Sequence, residues 1–203
     1  MDNKIYSSKY LTRAGILFFL AGLIILMGII TAEAYYPSTP AYTTHNSMIS
    51  DLGATEPPNS VITQPSATIF NLSMILTGIL ILAGTFFLVR YNKNKIAMVL
   101  FGLLGLGVLG VGIFPGNIHP QHPLFAMLTF ISGGLAAIYS YRLINSTFKF
   151  LALILGLITL FFLFTNQIFT PVLGGGGLER WVAYPIIIWM IGFGGYIAGV
   201  SSK

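Results

Sequence analysis

The sequence predicts an all-α integral membrane protein, a single bundle of six transmembrane helices with both termini in the cytoplasm. Three observations carry this reading. Only 7% of the 203 residues are charged and 55% are hydrophobic, whereas a soluble domain clothes its surface with about a quarter charged residues. Six apolar stretches each approach the roughly 20 residues that a helical span requires. Lysine and arginine then fall almost wholly on alternate loops. The composition also excludes other classes. Without cysteine there is no disulfide scaffold, thiol catalysis or zinc finger. The net charge of +5 comes from residues spread along an apolar chain with no basic face, so nucleic acid is not an expected partner.

The first stretch, 14–31, follows Lys4, Lys9 and Arg13 and precedes Ala32-Glu33-Ala34, which has the small-x-small form of a signal-peptidase site. Its apolar run is longer than the roughly 7–15 residues of a signal h-region, so it reads as a retained helix. Stretches 67–89, 96–114, 124–141, 150–169 and 182–200 complete the six and leave no room for a separate soluble domain. Residues 1–203 therefore form one domain, a multi-pass protein of the cell membrane. Placing both termini inside puts Lys4, Lys9, Arg13, Arg90, Lys93, Lys95, Arg142, Lys149 and Lys203 in the cytoplasm. Arg180 is the only basic residue left outside. The acids sort the other way, with Glu33, Asp51, Glu56 and Glu179 outside and Asp2 inside.

Within the spans the pattern is structural. Gly102, Gly105 and Gly112 recur near one face of the third, and Gly192, Gly195 and Gly199 near one face of the sixth. Such stripes let helices approach closely, inside the bundle or in a homo-oligomer. Asn71, Asn166 and Gln167 near the outer ends suit interhelical hydrogen bonds. No ionisable residue lies at mid-membrane, which disfavours an ion-coupled transporter.

The outer loops hold the chemistry. All three histidines lie there, with four of the five acids and Arg180. Residues 35–66 are too many for a plain connector. They carry His45-Asn46-Ser47-Met48-Ile49-Ser50-Asp51-Leu52-Gly53 between proline-rich flanks (Pro37, Pro40; Pro57, Pro58, Pro65). Met48, Ile49 and Leu52 suggest a short amphipathic or re-entrant segment on the bundle. That would bring Asp51 to the membrane surface, where it needs a partner such as Arg180 or a histidine. The second loop, 115–123, contains His119-Pro120-Gln121-His122-Pro123. The prolines argue against a helical histidine pair, and Pro123 suits the first position of the fourth helix with His122 at its N-cap. The third loop, 170–181, runs through Gly174, Gly175, Gly176 and Gly177 to Leu178-Glu179-Arg180-Trp181. It is either an anion cradle gripped by Arg180 or a flexible loop closed by a salt bridge from Arg180 to Glu179 or Asp51.

Together these residues define a candidate site. Ser50, Asp51, His119 and His122 are the catalytic candidates, and Arg180, Glu179 and Asn46 the substrate-binding ones. His119, His122, Asp51 and His45 could ligate a divalent metal such as zinc, with an open position for water. Ser50 becomes a nucleophile only with a histidine in hydrogen-bond reach.

Ile49-Ser50-Asp51-Leu52-Gly53 after the first span, Phe70-Asn71 in the second, Phe114-Pro115 with a following histidine, and Leu178-Glu179-Arg180 before the sixth resemble the prokaryotic "domain of unknown function 998" family. The chain is similar, more distantly, to the eukaryotic Frag/DRAM-like six-helix membrane proteins. The resemblance implies a six-helix bundle with Ser50, Asp51, His119 or His122, and Arg180 in characteristic positions, and through the eukaryotic relatives it points to lipids. The expectation is therefore an outer-facing polar pocket that binds or processes a membrane lipid, by hydrolysis or acyl transfer if it is an enzyme. The alternative is a non-enzymatic structural or accessory subunit whose outer polar residues only lock the loops together.

Overall fold

The computed structural model describes residues 2–39, 41–91 and 93–200, which leaves Pro40 and Lys203 outside the described residues. Six helices follow one another: α1 (Asp2–Ala34), α2 (Ser66–Tyr91), α3 (Lys95–Ile113), α4 (Gln121–Ser140), α5 (Phe148–Phe164) and α6 (Asn166–Val200). A single 3-10 turn, Ser50–Leu52, interrupts the long loop between α1 and α2. No strand occurs among the described residues. Five of the helices are long and apolar enough to cross a membrane. The sixth, α5, is a largely apolar helix of 17 residues, about 25 Å long, at the short limit of a span.

Each helix packs on the next, α6 returns to α1, and α4 also meets α6, so the six close into a ring with α5 on its flank. The short connections after α2 and α4 make neighbours antiparallel and gather the loops 35–65 and 114–120, with the start of α6, at one end of the bundle. Halfway along, Phe18 of α1, Phe101 of α3 and Trp189 and Phe193 of α6 are buried ring against ring. Phe18 lies 5.2 Å from Phe101, and Phe101 lies 5.5 Å from Trp189, between ring centroids. Trp189 Nε1–H donates to Ser140 Oγ at 2.9 Å, which ties α4 to the same layer and satisfies the indole in an apolar setting.

Several expected boundaries move. The region expected as a third loop, 170–181, is helical: α5 stops at Phe164, and α6 starts at Asn166 and bends at Gly174, whose φ is 71°. Pro185 inside α6 removes one backbone donor. In that turn the buried Thr159 of α5 donates to the Val182 carbonyl at 3.0 Å, which ties α5 to α6. The fourth helix begins earlier than expected, with Pro120 as its N-cap and His122 as its second residue. Pro123 fits the third position because the first N–H groups of a helix have no intrahelical partner.

The glycine stripes are also redistributed. A methyl added at Gly105 or Gly112 would crowd α2, but Gly102 and Gly199 face open space and Gly195 meets only the edge of Phe19. Between two helices, the closest backbone approach at a glycine is that of Gly194 in α6 to Gly15 and Phe19 in α1, one register step away from the expected face. Asn71 packs against Gly53 instead of bridging helices, and its side-chain oxygen is buried without a partner.

Candidate functional site

The loop end is built in two layers, an outer lock around Arg180 and an inner polar cap over a cavity. The lock begins with the glycines of α6. The N–H groups of Gly176 and Gly177, unpaired within the helix after the bend, take the His45 carbonyl at 3.0 and 3.4 Å. The first loop is thereby seated on the start of the straight part of α6. Arg180, one turn further on, closes over it. Its Nη1 donates to the carbonyls of Thr44 at 3.2 Å, Ser47 at 3.0 Å and Gly176 at 3.0 Å. Its Nη2 donates to Glu33 Oε1 at 2.5 Å and to the Tyr42 hydroxyl at 2.8 Å. The Tyr42 hydroxyl passes its own proton to the Met48 carbonyl at 2.9 Å. Burial pushes the Tyr42 phenol above its ordinary range, against the opposing pull of the Arg180 charge. The planar guanidinium thus joins α6, the end of α1 and the first loop.

The partner expected for Arg180 is replaced: it pairs with Glu33, not Glu179 or Asp51, because the end of α1 lies against α6. Its Nη1 and Nη2 groups are engaged by the protein itself, which favours the loop-closing role over an external anion grip.

Glu179 does other work. Its carboxylate accepts from the backbone N–H of Ile49 and, at 3.4 Å, of Ser50. These N–H groups open the 3-10 turn and have no partner within it, so a carboxylate from α6 caps a turn in the first loop. Asp51 faces back along the loop and accepts from the Met48 N–H at 2.7 Å. At the far side of the turn, Ser66 Oγ donates to the Leu52 carbonyl at 3.3 Å.

The turn lies over a small cavity in the bundle core, about 60 Å³ of free volume, room for a few waters and well below the roughly 300–1,000 Å³ of sites for drug-sized ligands. Its walls come from every helix except α5 and are apolar, among them Ile29, Met74, Val108 and Ile187. The wall threonines spend their protons on backbone: Thr77 on the Ala21 carbonyl at 3.4 Å and Thr129 on the Phe125 carbonyl at 2.9 Å. The cavity runs along α6 from Glu179 to Met190, about 16 Å of helix, and stops above the Phe18–Phe101–Trp189–Phe193 layer. Polar groups with capacity to spare meet it only at the loop end: Ser50, His122 and Glu179. His122 is 5% exposed, and its Nδ1 lies 2.8 Å from the Phe114 carbonyl.

The structure separates the remaining candidates. His45 Nδ1 pairs with Asn46 Oδ1 at 2.7 Å on the exposed loop, which gives Asn46 a local role. His119 is exposed and lies 3.9 Å from Glu56. The expected metal set of His119, His122, Asp51 and His45 is therefore dispersed over three places. Among the described residues no three His, Asp or Glu side chains form a group that could hold an ion. No histidine among the described residues hydrogen-bonds the Ser50 hydroxyl, and the Ser50 N–H is turned to Glu179. Glu33 and Tyr42 are the site residues that sequence reasoning missed. The signal for Glu33 was present, as an acid ending the first span opposite a single outer arginine.

Asp51 yields a test of charge against geometry. Burial holds its carboxyl above the ordinary value of 3.8, against the Met48 N–H bond that favours the ionised form. A raised folded-state pKa stabilises fully below the unfolded value, and that stability is lost as pH rises through the folded one. Asp51→Asn keeps an acceptor for Met48 and removes the charge. It is expected to match or exceed the parent in thermal unfolding at neutral pH and to flatten the decline above pH 3.8. Asp51→Ala loses the acceptor and should cost about 1 kcal/mol. An asparagine variant markedly less stable than the parent at neutral pH would show that the loop needs the charge itself.

A ring of apolar helices with one polar, loop-covered end defines a polytopic α-helical membrane protein with a capped core cavity. The chain belongs to the family described as "Protein of unknown function (DUF998)", whose model matches residues 19–196. The match covers all of the lock, the cap and the cavity wall. No curated protein and no solved structure matches it.

Proposed function

We propose that this protein binds a membrane-derived amphiphile at its core cavity, with the helices parting to admit the hydrocarbon and the polar end beneath the turn Ser50–Leu52. One observation carries the reading: a core cavity with apolar walls from five helices has spare polar groups at one end alone. That division matches an amphiphile. Positive-inside sorting of the basic residues supports a cytoplasmic short-turn end and an outward-facing cap. Binding is better supported than hydrolysis or acyl transfer, because no histidine is hydrogen-bonded to Ser50 among the described residues and Asp51 pairs with backbone. The structural reading also has its own support in Arg180, whose five acceptors weld the first loop to α1 and α6. The two are compatible, since the lock seats the lid of the cavity.

The test is to fill the cavity from its wall. Ala126 of α4 and Ala183 of α6 both line it. Ala126→Leu and Ala183→Leu are expected to leave the fold intact, with little change in unfolding temperature as the added methyl groups take up the free space. The lipid that co-purifies with the parent should be lost, as read by mass spectrometry of the intact complex. An unchanged lipid complement in both folded variants would overturn the proposal.

A further inference from the structure

A groove on the flank of the bundle, between α5 and α6, holds about 540 Å³ of free volume, within the roughly 300–1,000 Å³ of sites for drug-sized ligands. Its long part is apolar, with Leu155 and Ile158 of α5 facing Pro185 and Ile188 of α6. From Gly177 to Ile188 it follows α6 for about 16 Å, half of the roughly 30 Å hydrocarbon thickness of a bilayer. It stops at the level of the aromatic layer, and Trp181 and Ile188 on its edges are exposed. In a membrane such a groove opens sideways onto the hydrocarbon chains of one leaflet.

The loop end of the groove is polar and of one hydrogen-bonding sense. Thr44 of the first loop and Arg180, Trp181 and Tyr184 of α6 line it. Among the described residues no hydrogen bond uses the Thr44 or Tyr184 hydroxyl proton or the Trp181 indole N–H. The Trp181 ring is held against Phe162 of α5, with 5.0 Å between centroids. Arg180 gives its Nη groups to the lock, but a guanidinium keeps its charge and has a fifth N–H at Nε. His45 turns its Nδ1 to Asn46. No Asp or Glu lines the groove, and Glu33, the partner of Arg180, is not part of its wall. The walls therefore offer donors and one cation, with no carboxylate.

We infer that this groove binds a membrane phospholipid. One hydrocarbon chain lies along α5 and α6, and phosphate oxygens at the loop end take the hydrogens of Trp181, Tyr184 and Thr44. The Arg180 charge adds to the attraction for an anion while its Nη bonds stay with the loop. A lipid without phosphate fills the apolar length and brings no comparable acceptor to the donors. A helix of a second copy fails in the same way, because its carbonyls are used within itself. The site is separate from the core cavity and does not depend on what that cavity admits.

Trp181 reports on the groove directly, because the second tryptophan, Trp189, is buried in the aromatic layer. Phosphatidylglycerol and diacylglycerol with identical brominated chains are titrated separately into the detergent-solubilised full-length protein, and quenching of tryptophan fluorescence is read. The phospholipid is expected to quench at a mole fraction at least about tenfold below that of the diacylglycerol, the gain from one charge-assisted hydrogen bond. Trp181→Phe should abolish the signal. Tyr184→Phe combined with Thr44→Val removes two donors and should narrow the gap, with the diacylglycerol unchanged. Ile188→Phe fills the apolar length and should weaken both lipids. Ala126→Leu, in the wall of the core cavity alone, should alter neither, so that failure here and failure of core binding are read apart. Diacylglycerol quenching as well as the phospholipid would overturn the phosphate assignment. Displacement of the phospholipid by glycerol phosphate alone would make the ligand a soluble phosphate and overturn the lipid assignment. Quenching by neither lipid would overturn the groove as a lipid site, and a cross-linked dimer found with it would make the occupant a second copy.

Discussion

Arg180→Ala is expected to release the first loop from the bundle, at a cost of about 3–5 kcal/mol, as for a partly buried ion pair that loses one partner. The magnitude follows from what remains behind. The side chains of Arg180 and Glu33 are 11% and 26% exposed, so the orphaned carboxylate is poorly reached by water. The carbonyls of Thr44, Ser47 and Gly176 and the Tyr42 hydroxyl lose a donor at the same time. Glu33→Gln removes the charge and keeps an acceptor, so it should cost less. Arg180→Lys should recover only part of the loss, because three ammonium hydrogens cannot serve five acceptors arranged for a planar fork. Hydrogen exchange of residues 41–53 in the detergent-solubilised protein provides the readout, with thermal unfolding beside it. Arg180→Ala with parental protection of that loop would mean the guanidinium contacts contribute little. The same measurement bears on function, because the segment that exchanges faster is the lid of the core cavity.

Much of this arrangement was legible in the sequence, for a physical reason. A span must be apolar over its whole length because hydrocarbon solvates no backbone or charge, so the six helices could be read from hydropathy alone. Their ends could not, because caps and loop contacts set them. Asn166 opens α6 far before its apolar run, and His122 falls inside α4, since the loops supply partners that composition does not record. Ser50, His122, Glu179 and Arg180 were all singled out as chemistry in outer loops, and the fold does gather them at one end. What sequence could not assign is which residue faces which. Arg180 meets Glu33 across 147 residues of chain, and Glu179 caps a turn 130 residues away. Such pairings depend on α1 packing against α6. The cavity was invisible for the same reason: Ala126, Thr129 and Ala183 are ordinary wall residues until five helices surround one space.

The glycine run shows how tertiary contact overrides local propensity and gives the second large effect. Four consecutive glycines predict a flexible loop, because each raises the entropy lost on ordering. The chain bends only at Gly174 and is helical from the next residue on. Two of the four are required by close approach. A Cβ on Gly174 would lie 2.0 Å from the His45 carbonyl oxygen, and one on Gly176 would lie 2.0 Å from that of Ser47. Both obstacles are backbone, which cannot swing aside as a side chain can. Gly174 in addition has a positive φ that L side chains rarely adopt. At Gly175 and Gly177 the nearest atoms stand at 3.6 and 3.5 Å, ordinary van der Waals contact. Alanine at 174 or 176 is therefore expected to displace the first loop and cost about 1–3 kcal/mol or more, with 174 the worse. Alanine at 175 or 177 should be neutral or stabilising by up to about 1 kcal/mol, through the lower entropy of the unfolded chain. Thermal unfolding of the four single variants reads the alternation directly. Uniform tolerance at all four positions would mean the loop does not sit on α6 as described, and the cap over the core cavity would lose its foundation. A cost confined to 174 and 176 would place the His45 and Ser47 carbonyls against α6 and, through Arg180 on the next turn, fix the lid whose underside carries Ser50.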